Sequence, residues 1–319
     1  MQEANTLHRR LYKTGFIAYP VLFILAALFY KERTVFVDIA YHLFYILKDG
    51  NFAIQNNRFG AVVTQVFPVV CGKLSMPLGT TMFIYSAGFV IYYFACYWIC
   101  GSLLKQYEIA LCLLLFNTLF VTDTFYWIQS ELPQGCAFMF VMFALVKRMS
   151  DTKEYKWWYI IIIPVVVLAV FFHPILWIPS VFIVFFFILN NTTITNKKLF
   201  FGVAVLFFIA YYLKQQFVVS SYDSNAAKGG NNLIHLFPNW INLATNRVFL
   251  KDCTSNFIWI PICTAAISIV YIIERSWLNL LLFTGFMCAY LLLVNTTYPH
   301  GGTPAFYMEN LYLPLGIFI

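Results

Sequence analysis

The sequence predicts an all-α protein that crosses a membrane many times. Hydrophobic residues make up 61% of the 319 residues, and charged residues only 10%. Apolar runs that are long enough to cross a hydrocarbon core of about 30 Å recur along the chain. The 35 Phe, 21 Tyr and 8 Trp suit contact with lipid, since Trp and Tyr are enriched at the headgroup level. We therefore expect one polytopic transmembrane domain over residues 1–319, with about ten transmembrane helices.

Hydropathy over windows of about 19 residues places the individual spans. The first span follows Arg9, Arg10 and Lys13 and lacks a small-residue cleavage site, so we expect it to stay in the mature protein. The tenth span begins near residue 311 and breaks off inside an apolar run, so we expect this helix to be truncated and the chain to be a fragment. The other predicted spans are 14–30, 80–104, 107–122, 133–147, 157–172, 174–190, 198–213, 257–273 and 277–294.

The distribution of Lys and Arg favours a cytoplasmic N-terminus. With that orientation the short outer loops at 123–132 and 296–310 carry no Lys or Arg, whereas the inner segment 147–156 carries Lys147, Arg148, Lys153 and Lys156. Short cytoplasmic loops are enriched in positive charge. We expect an integral protein of the plasma (inner) membrane of a bacterium. The formal charge of +7 is spread along the loops, which indicates membrane topology and no nucleic-acid partner.

Residues 31–79 form a long outer segment that is too apolar for a disordered loop. Residues 34–48 are typical of an amphipathic helix, with Asp38 and His42 on one polar face. Residues 59–74 predict a second short helix. We expect both helices to lie along the membrane surface, with Asp38 and His42 facing the same cavity.

The predicted outer loops collect acidic residues and histidines on one side of the membrane. Asp123 and Glu131 flank a short aromatic loop, and His173 joins two apolar spans at the surface. The second long outer segment, 214–256, includes a polar stretch at 221–232 that is either a substrate lid or a plain flexible loop. The residues that we single out among them are Asp38, His42, Asp123, Glu131, His173, His235, His300 and Glu309.

Each of these residues also has a purely structural interpretation. Asp38 and His42 either serve a site or simply form part of the polar face of an interfacial helix. Glu131 either serves a site or interacts favourably with the positive end of the dipole of the helix that Pro133 begins. His173 is either a ligand or a hydrogen-bonded structural histidine. Arg58 is either a phosphate or carboxylate partner or a cation that reaches from apolar surroundings to water.

The order of these features resembles the C-type membrane glycosyltransferases, the GT-C superfamily, which includes protein O-mannosyltransferases and the aminoarabinose transferases of lipid A. The similarity covers roughly residues 1–200. It consists of an acidic residue, Asp38, soon after the first span, two interfacial helices in the first outer loop, and an acidic second outer loop. Many members have an adjacent Asp-Glu pair in the first loop, whereas Ile39 follows Asp38 here, which leaves the acceptor and any metal requirement open.

The resemblance implies that Asp38 is the general base and that the donor is a polyprenyl phosphate sugar. Transfer from such a donor needs a base for the acceptor hydroxyl, a cation or metal for the departing phosphate, and a dry cleft. Arg58, Arg247 or Lys251 would stabilise the phosphate, and a single base with no carboxylate nucleophile implies inversion. His42, Glu131 or His173 would orient the acceptor or bind a divalent ion. The predicted substrate-binding residues are His42, Arg58, Asp123, Glu131, His173, His300 and Glu309.

Two other classes of protein remain open at this point. A lipid-linked oligosaccharide flippase, a polymerase or another transport protein would use the same outer charges to guide a polyanionic lipid. A flippase should also place charges deep within the spans, and the sequence has very few there. A membrane acyltransferase would need a catalytic His with an acid partner in a deep cleft, and the sequence shows no clear pattern of this kind.

Overall fold

The computed structural model describes residues 2–119, 125, 131–151, 158–190, 195–229, 233–255, 258–297 and 299. The described residues fold into helices and connecting turns without a strand, which confirms the all-α class. The helices are α1 (Gln2–Tyr12), α2 (Gly15–Leu28), α3 (Tyr30–Thr34), α4 (Val37–Asp49), α5 (Val62–Lys73), α6 (Leu78–Trp98), α7 (Tyr107–Leu119), α8 (Glu131–Asp151), α9 (Trp158–Val170), α10 (Trp177–Leu189), α11 (Lys197–Phe217), α12 (Ser221–Gly229), α13 (Leu233–Leu236), α14 (Ala244–Thr254), α15 (Trp259–Ile273) and α16 (Trp277–Thr297).

Four stretches of helix in the described residues are long and apolar enough to cross a membrane, which agrees with a membrane protein. A fifth span results if α14 and α15, which meet at a bend of 84°, count as one. The ten predicted spans are therefore not confirmed, and the one expected near 311 lies outside the described residues. The four stretches are Thr6–Leu28, Leu78–Leu103, Glu131–Asp151 and Lys197–Phe217.

Helix α8 forms the centre of the bundle. Most of its side chains are buried, and α6, α7, α9 and α11 pack against it. A small residue permits this packing at Gly135, where an added Cβ would stand 2.4 Å from a methyl carbon of Leu176. The first residue of α8 is Glu131, so the start of the innermost helix carries a carboxylate.

Helices α4 and α5 occupy the two stretches for which interfacial helices were predicted. Gly50 ends α4 in the left-handed conformation with φ 64°, as a helix C-terminus often requires. Whether α4 and α5 lie along a membrane surface stays a prediction, because the structure contains no membrane.

The expectation that Asp38 and His42 face the same cavity is wrong. Asp38 is exposed, whereas His42 is only 1% exposed and lies on the buried side of α4 with Ile39 and Ile46. Positions 39, 42 and 46 are spaced by three and four residues, which puts His42 on the face that packs inward.

Candidate functional site

A tight loop before α5 carries Arg58 into the bundle. Asn56 and Asn57 adopt the left-handed conformation, with φ 51° and 58°, which asparagine tolerates better than most residues. The Asn57 side-chain amide donates to the carbonyl oxygen of Val218 at 3.1 Å, and the Gly60 N–H donates to that of Phe171 at 3.0 Å. The loop is therefore held at the ends of α9 and α11, and Arg58 is held with it.

The Arg58 guanidinium lies between two carboxylates. Its Nη1 is 3.2 Å from Oε2 of Glu131, and its Nη2 is 3.0 Å from Oδ1 of Asp223. All three side chains are about nine-tenths buried, with exposures of 11%, 9% and 7%. Burial opposes the charge of Arg58, but the carboxylates outweigh it, so the pKa of Arg58 is raised. Arg58 is thus a fixed cation, and its Nε is a buried donor without a partner among the described residues.

Lys214, in the last turn of α11, brings a second cation to this place. The residue is 4% exposed, and its Nζ has no hydrogen-bond partner among the described residues. The Nζ lies 5.8 Å from the centre of the Phe171 ring, which offers some cation–π stabilisation. Asp223 lies close enough to act on Lys214 electrostatically, although the two form no ion pair.

His173 lies at the edge of the same group, between α9 and α10. It is 5% exposed, and its Nδ1 accepts the N–H of Ile175 at 3.2 Å. Burial lowers the pKa of His173 well below its usual value, and the positive charges of Arg58 and Lys214 lower it further. His173 is therefore neutral near pH 7. We call the five residues Arg58, Glu131, His173, Lys214 and Asp223 the Arg58 cluster.

His42 joins α4 to the loop and to α5. Its Nδ1 lies 2.8 Å from the carbonyl oxygen of Ala53 and 3.0 Å from Nε2 of Gln65, whose Oε1 accepts the Ala53 N–H. Burial lowers the pKa of His42, and the negative charges of Glu131 and Asp38 offset part of this effect. These contacts are structural, and a contact between His42 and substrate stays a prediction.

Asp38 lies in the first turn of α4 and is exposed, so solvent or a ligand can reach its carboxylate. It is not a member of the Arg58 cluster. Its negative charge acts on His42, which lies one turn further along the same helix.

The structure brings together some of the other predicted site residues and leaves out the rest. Arg58, Glu131 and His173 meet, although they come from three separate loops of the predicted topology. Arg247 and Lys251 are exposed on α14 and form no ion pair with a described residue, and His235 is exposed on α13. Asp123, His300 and Glu309 lie outside the described residues.

Sequence reasoning missed two members of the Arg58 cluster, Asp223 and Lys214. Lys214 follows directly on the apolar span predicted at 198–213, and a cation there is costly unless it is solvated, paired or used. That signal was available. Asp223 had no comparable signal, since it occurs in a polar stretch where an acidic residue is ordinary.

Metal ligation has little support in the described part of the chain. No three His, Cys, Asp or Glu side chains there lie together as a metal ion would require. The predicted option of a divalent ion therefore stays a prediction without a group of ligands.

No family model, curated protein or solved structure matches this chain.

Proposed function

We propose that this chain is an integral membrane glycosyltransferase that moves a sugar from a polyprenyl phosphate donor to an acceptor at the outer face of a bacterial plasma membrane. The observation that supports it best is the Arg58 cluster, in which two buried cations, Arg58 and Lys214, each keep an N–H donor without a partner among the described residues. A departing lipid phosphate is an anion that needs such donors in a site shielded from water.

Arg58 and Lys214 stabilise the negative charge that develops on the leaving phosphate. The planar guanidinium contacts two phosphate oxygens, and the lysine acts as a point charge. Glu131 serves this chemistry indirectly, because its ion pair holds Arg58 in place. A contact between Glu131 and substrate stays a prediction.

Asp38 is the general base that accepts the proton of the acceptor hydroxyl. Its exposure leaves the carboxylate open to an acceptor, and it is the acidic residue of the first outer segment that the resemblance assigns as the base. One base and no carboxylate nucleophile correspond to a single displacement with inversion at the sugar.

The proposed enzyme crosses the membrane ten times with its N-terminus in the cytoplasm. Shorter apolar helices supply the spans beyond the five of sufficient length, and the tenth is the one predicted near 311. In this topology the loop at 56–60, the start of α8, the turn at 173 and the end of α11 all face outward. The shorter helices are Tyr107–Thr118, Trp158–Val170, Pro174–Leu189 and Trp277–Leu293.

Transfer of label from a panel of radiolabelled polyprenyl phosphate sugars, with purified protein in detergent, tests the proposal. We expect one donor to be consumed, with loss of turnover in Lys214→Gln. The matched control is Lys228→Gln, which removes an exposed lysine of α12 and should leave turnover unchanged. If no donor is consumed, but labelled lipid moves across the bilayer of vesicles that contain the protein, the transport alternative replaces this proposal.

A further inference from the structure

Helix α12 contributes a charged group to the Arg58 cluster, while most of its other described side chains are exposed. Ser221, Tyr222, Asn225 and Lys228 are exposed, and Asp223 is the one buried side chain among those described on this helix. The hydroxyl oxygen of Ser220 accepts the Asp223 N–H at 3.0 Å, which caps the first turn of α12. The described side chain that α12 buries is therefore a carboxylate, whereas a helix that only packs on the surface would bury an apolar side chain there.

The charges of the Arg58 cluster balance only because Asp223 is present. Arg58 and Lys214 supply two positive charges, Glu131 and Asp223 supply two negative charges, and His173 is neutral. Without Asp223 one buried cation has no counter-charge, and such a site has a strong tendency to bind an anion. The vacated donors include Nη2 of Arg58, beside the unpartnered Nε of the same guanidinium and Nζ of Lys214.

The contact between Asp223 and Arg58 is also suited to exchange. A phosphate oxygen accepts the same N–H groups as a carboxylate oxygen, and a phosphate offers more oxygens to reach Nε and Nζ as well. A phosphate that displaces Asp223 therefore exchanges one ion pair with Arg58 for at least one other.

We propose that Asp223 is a displaceable internal anion, that α12 is the lid it holds closed, and that the phosphate of a lipid replaces it on Arg58 and Lys214. This inference depends on the proposed function for the identity of the ligand, a lipid phosphate. It goes further in assigning a closed state without substrate and an opening of α12 on binding.

Equilibrium binding of farnesyl monophosphate in detergent tests the exchange without requiring any transfer. Asp223→Asn removes the competing charge and should tighten binding about tenfold, whereas Lys214→Gln should weaken it by a similar factor. Asp223→Glu keeps the charge and should bind close to the wild-type value, which separates competition from misfolding. Farnesol, which has the same tail without phosphate, should show none of these differences.

The opening of α12 has its own measurement. Bioorthogonal spin labels at Lys48 on α4 and Asn225 on α12, both exposed, report the distance between the two helices. We expect the distance to increase when farnesyl monophosphate is added to the wild type, and to be longer from the start in Asp223→Asn.

Binding that is unchanged or weaker in Asp223→Asn, together with a fixed distance between labels, overturns the inference even if the enzyme transfers sugar. Inorganic phosphate that binds as tightly as farnesyl monophosphate overturns the lipid as ligand. Binding and opening as described, without transfer from any sugar donor, support the inference and reject the proposed function, so the two fail in distinguishable ways.

Discussion

The guanidinium of Arg58 and the carboxylate of Glu131, 73 residues apart in the sequence, form an ion pair with 3.2 Å between Nη1 and Oε2. Arg58 lies in a loop that has no regular structure of its own, and Glu131 is the first residue of the innermost helix. The pair therefore fixes the loop to the rigid helix bundle. It also keeps a cation buried that would otherwise be costly to bury.

Loss of the Glu131 charge should destabilise the protein. Glu131→Gln leaves Arg58 with one carboxylate, and removal of one partner of a buried pair typically costs about 3–5 kcal/mol. We expect a value toward the lower end, because Asp223 still contacts Arg58. The measurement is the free energy of unfolding in mixed micelles.

Glu108→Gln is the matched control for that measurement. Glu108 pairs with Lys147 at the other end of α8, and its side chain is 37% exposed. Exposed pairs contribute about 0–1 kcal/mol, so this variant should differ little from the wild type. Equal losses in the two variants would show that the Arg58 pair has no special structural importance.

Asp38→Asn should lower turnover without affecting the fold. Loss of a general base typically reduces the rate by about 10²- to 10⁴-fold, and Asp38 is exposed, so its amide isostere disturbs no buried contact. The assay is label transfer from the polyprenyl phosphate donor, with expression and thermal unfolding as checks. Asp49→Asn, at the exposed last residue of the same helix, should keep full turnover. Full turnover in Asp38→Asn would remove Asp38 from the role of base.

The sequence was a good guide to the helices and a partial guide to the candidate site. Apolar runs report burial or lipid contact locally, so α6, α8 and α11 were predictable within a few residues. Arg58, Glu131 and His173 were singled out because polar residues beside apolar spans are unusual.

The remainder depended on contacts between distant parts of the chain. Asp223 meets Arg58 across 165 residues, and nothing in its local sequence distinguishes it from a solvated acid. His42 was expected to share a cavity with Asp38, one turn earlier in α4, and only the packing of α4 against α5 decides that His42 is buried while Asp38 stays exposed.

The predicted orientation places the segment after α8 in the cytoplasm, because residues 147–156 carry four positive charges and the short loops of the other side carry none. A topology reporter fused after Lys156 should therefore report the cytoplasm. The control is a fusion within 123–130, which should report the outside. An external signal after Lys156 would move the Arg58 cluster to the cytoplasmic side and reject transfer at the outer face.

Acidification should destabilise the protein through His42 and His173. Their pKa values are lowered in the folded protein, so unfolding takes up protons once the pH falls below about 6.5, the usual value for histidine. Stability is then lost by about 1.4 kcal/mol per pH unit for each proton, down to the folded pKa values. Between pH 7.5 and 5.5, the free energy of unfolding should depend less steeply on pH in His42→Gln and in His173→Gln than in the wild type. His235→Gln removes an exposed histidine and should follow the wild type. Parallel profiles in all four proteins would contradict this account.

The position of Arg58 should depend on the absence of a side chain at Gly60. A Cβ at this position would lie 2.4 Å from Cγ of Phe172, whose ring is fully buried against that of Phe138. Since Phe172 has no room to yield, Gly60→Ala should cost about 1–3 kcal/mol and displace the loop that carries Arg58. Gly60→Ala should also weaken the binding of farnesyl monophosphate.

Gly202→Ala is the matched control, because no atom lies within 4 Å of its added Cβ and alanine is more favourable than glycine in a helix interior by up to about 1 kcal/mol. If Gly60→Ala unfolds and binds like Gly202→Ala, the tight contact with Phe172 does not position Arg58.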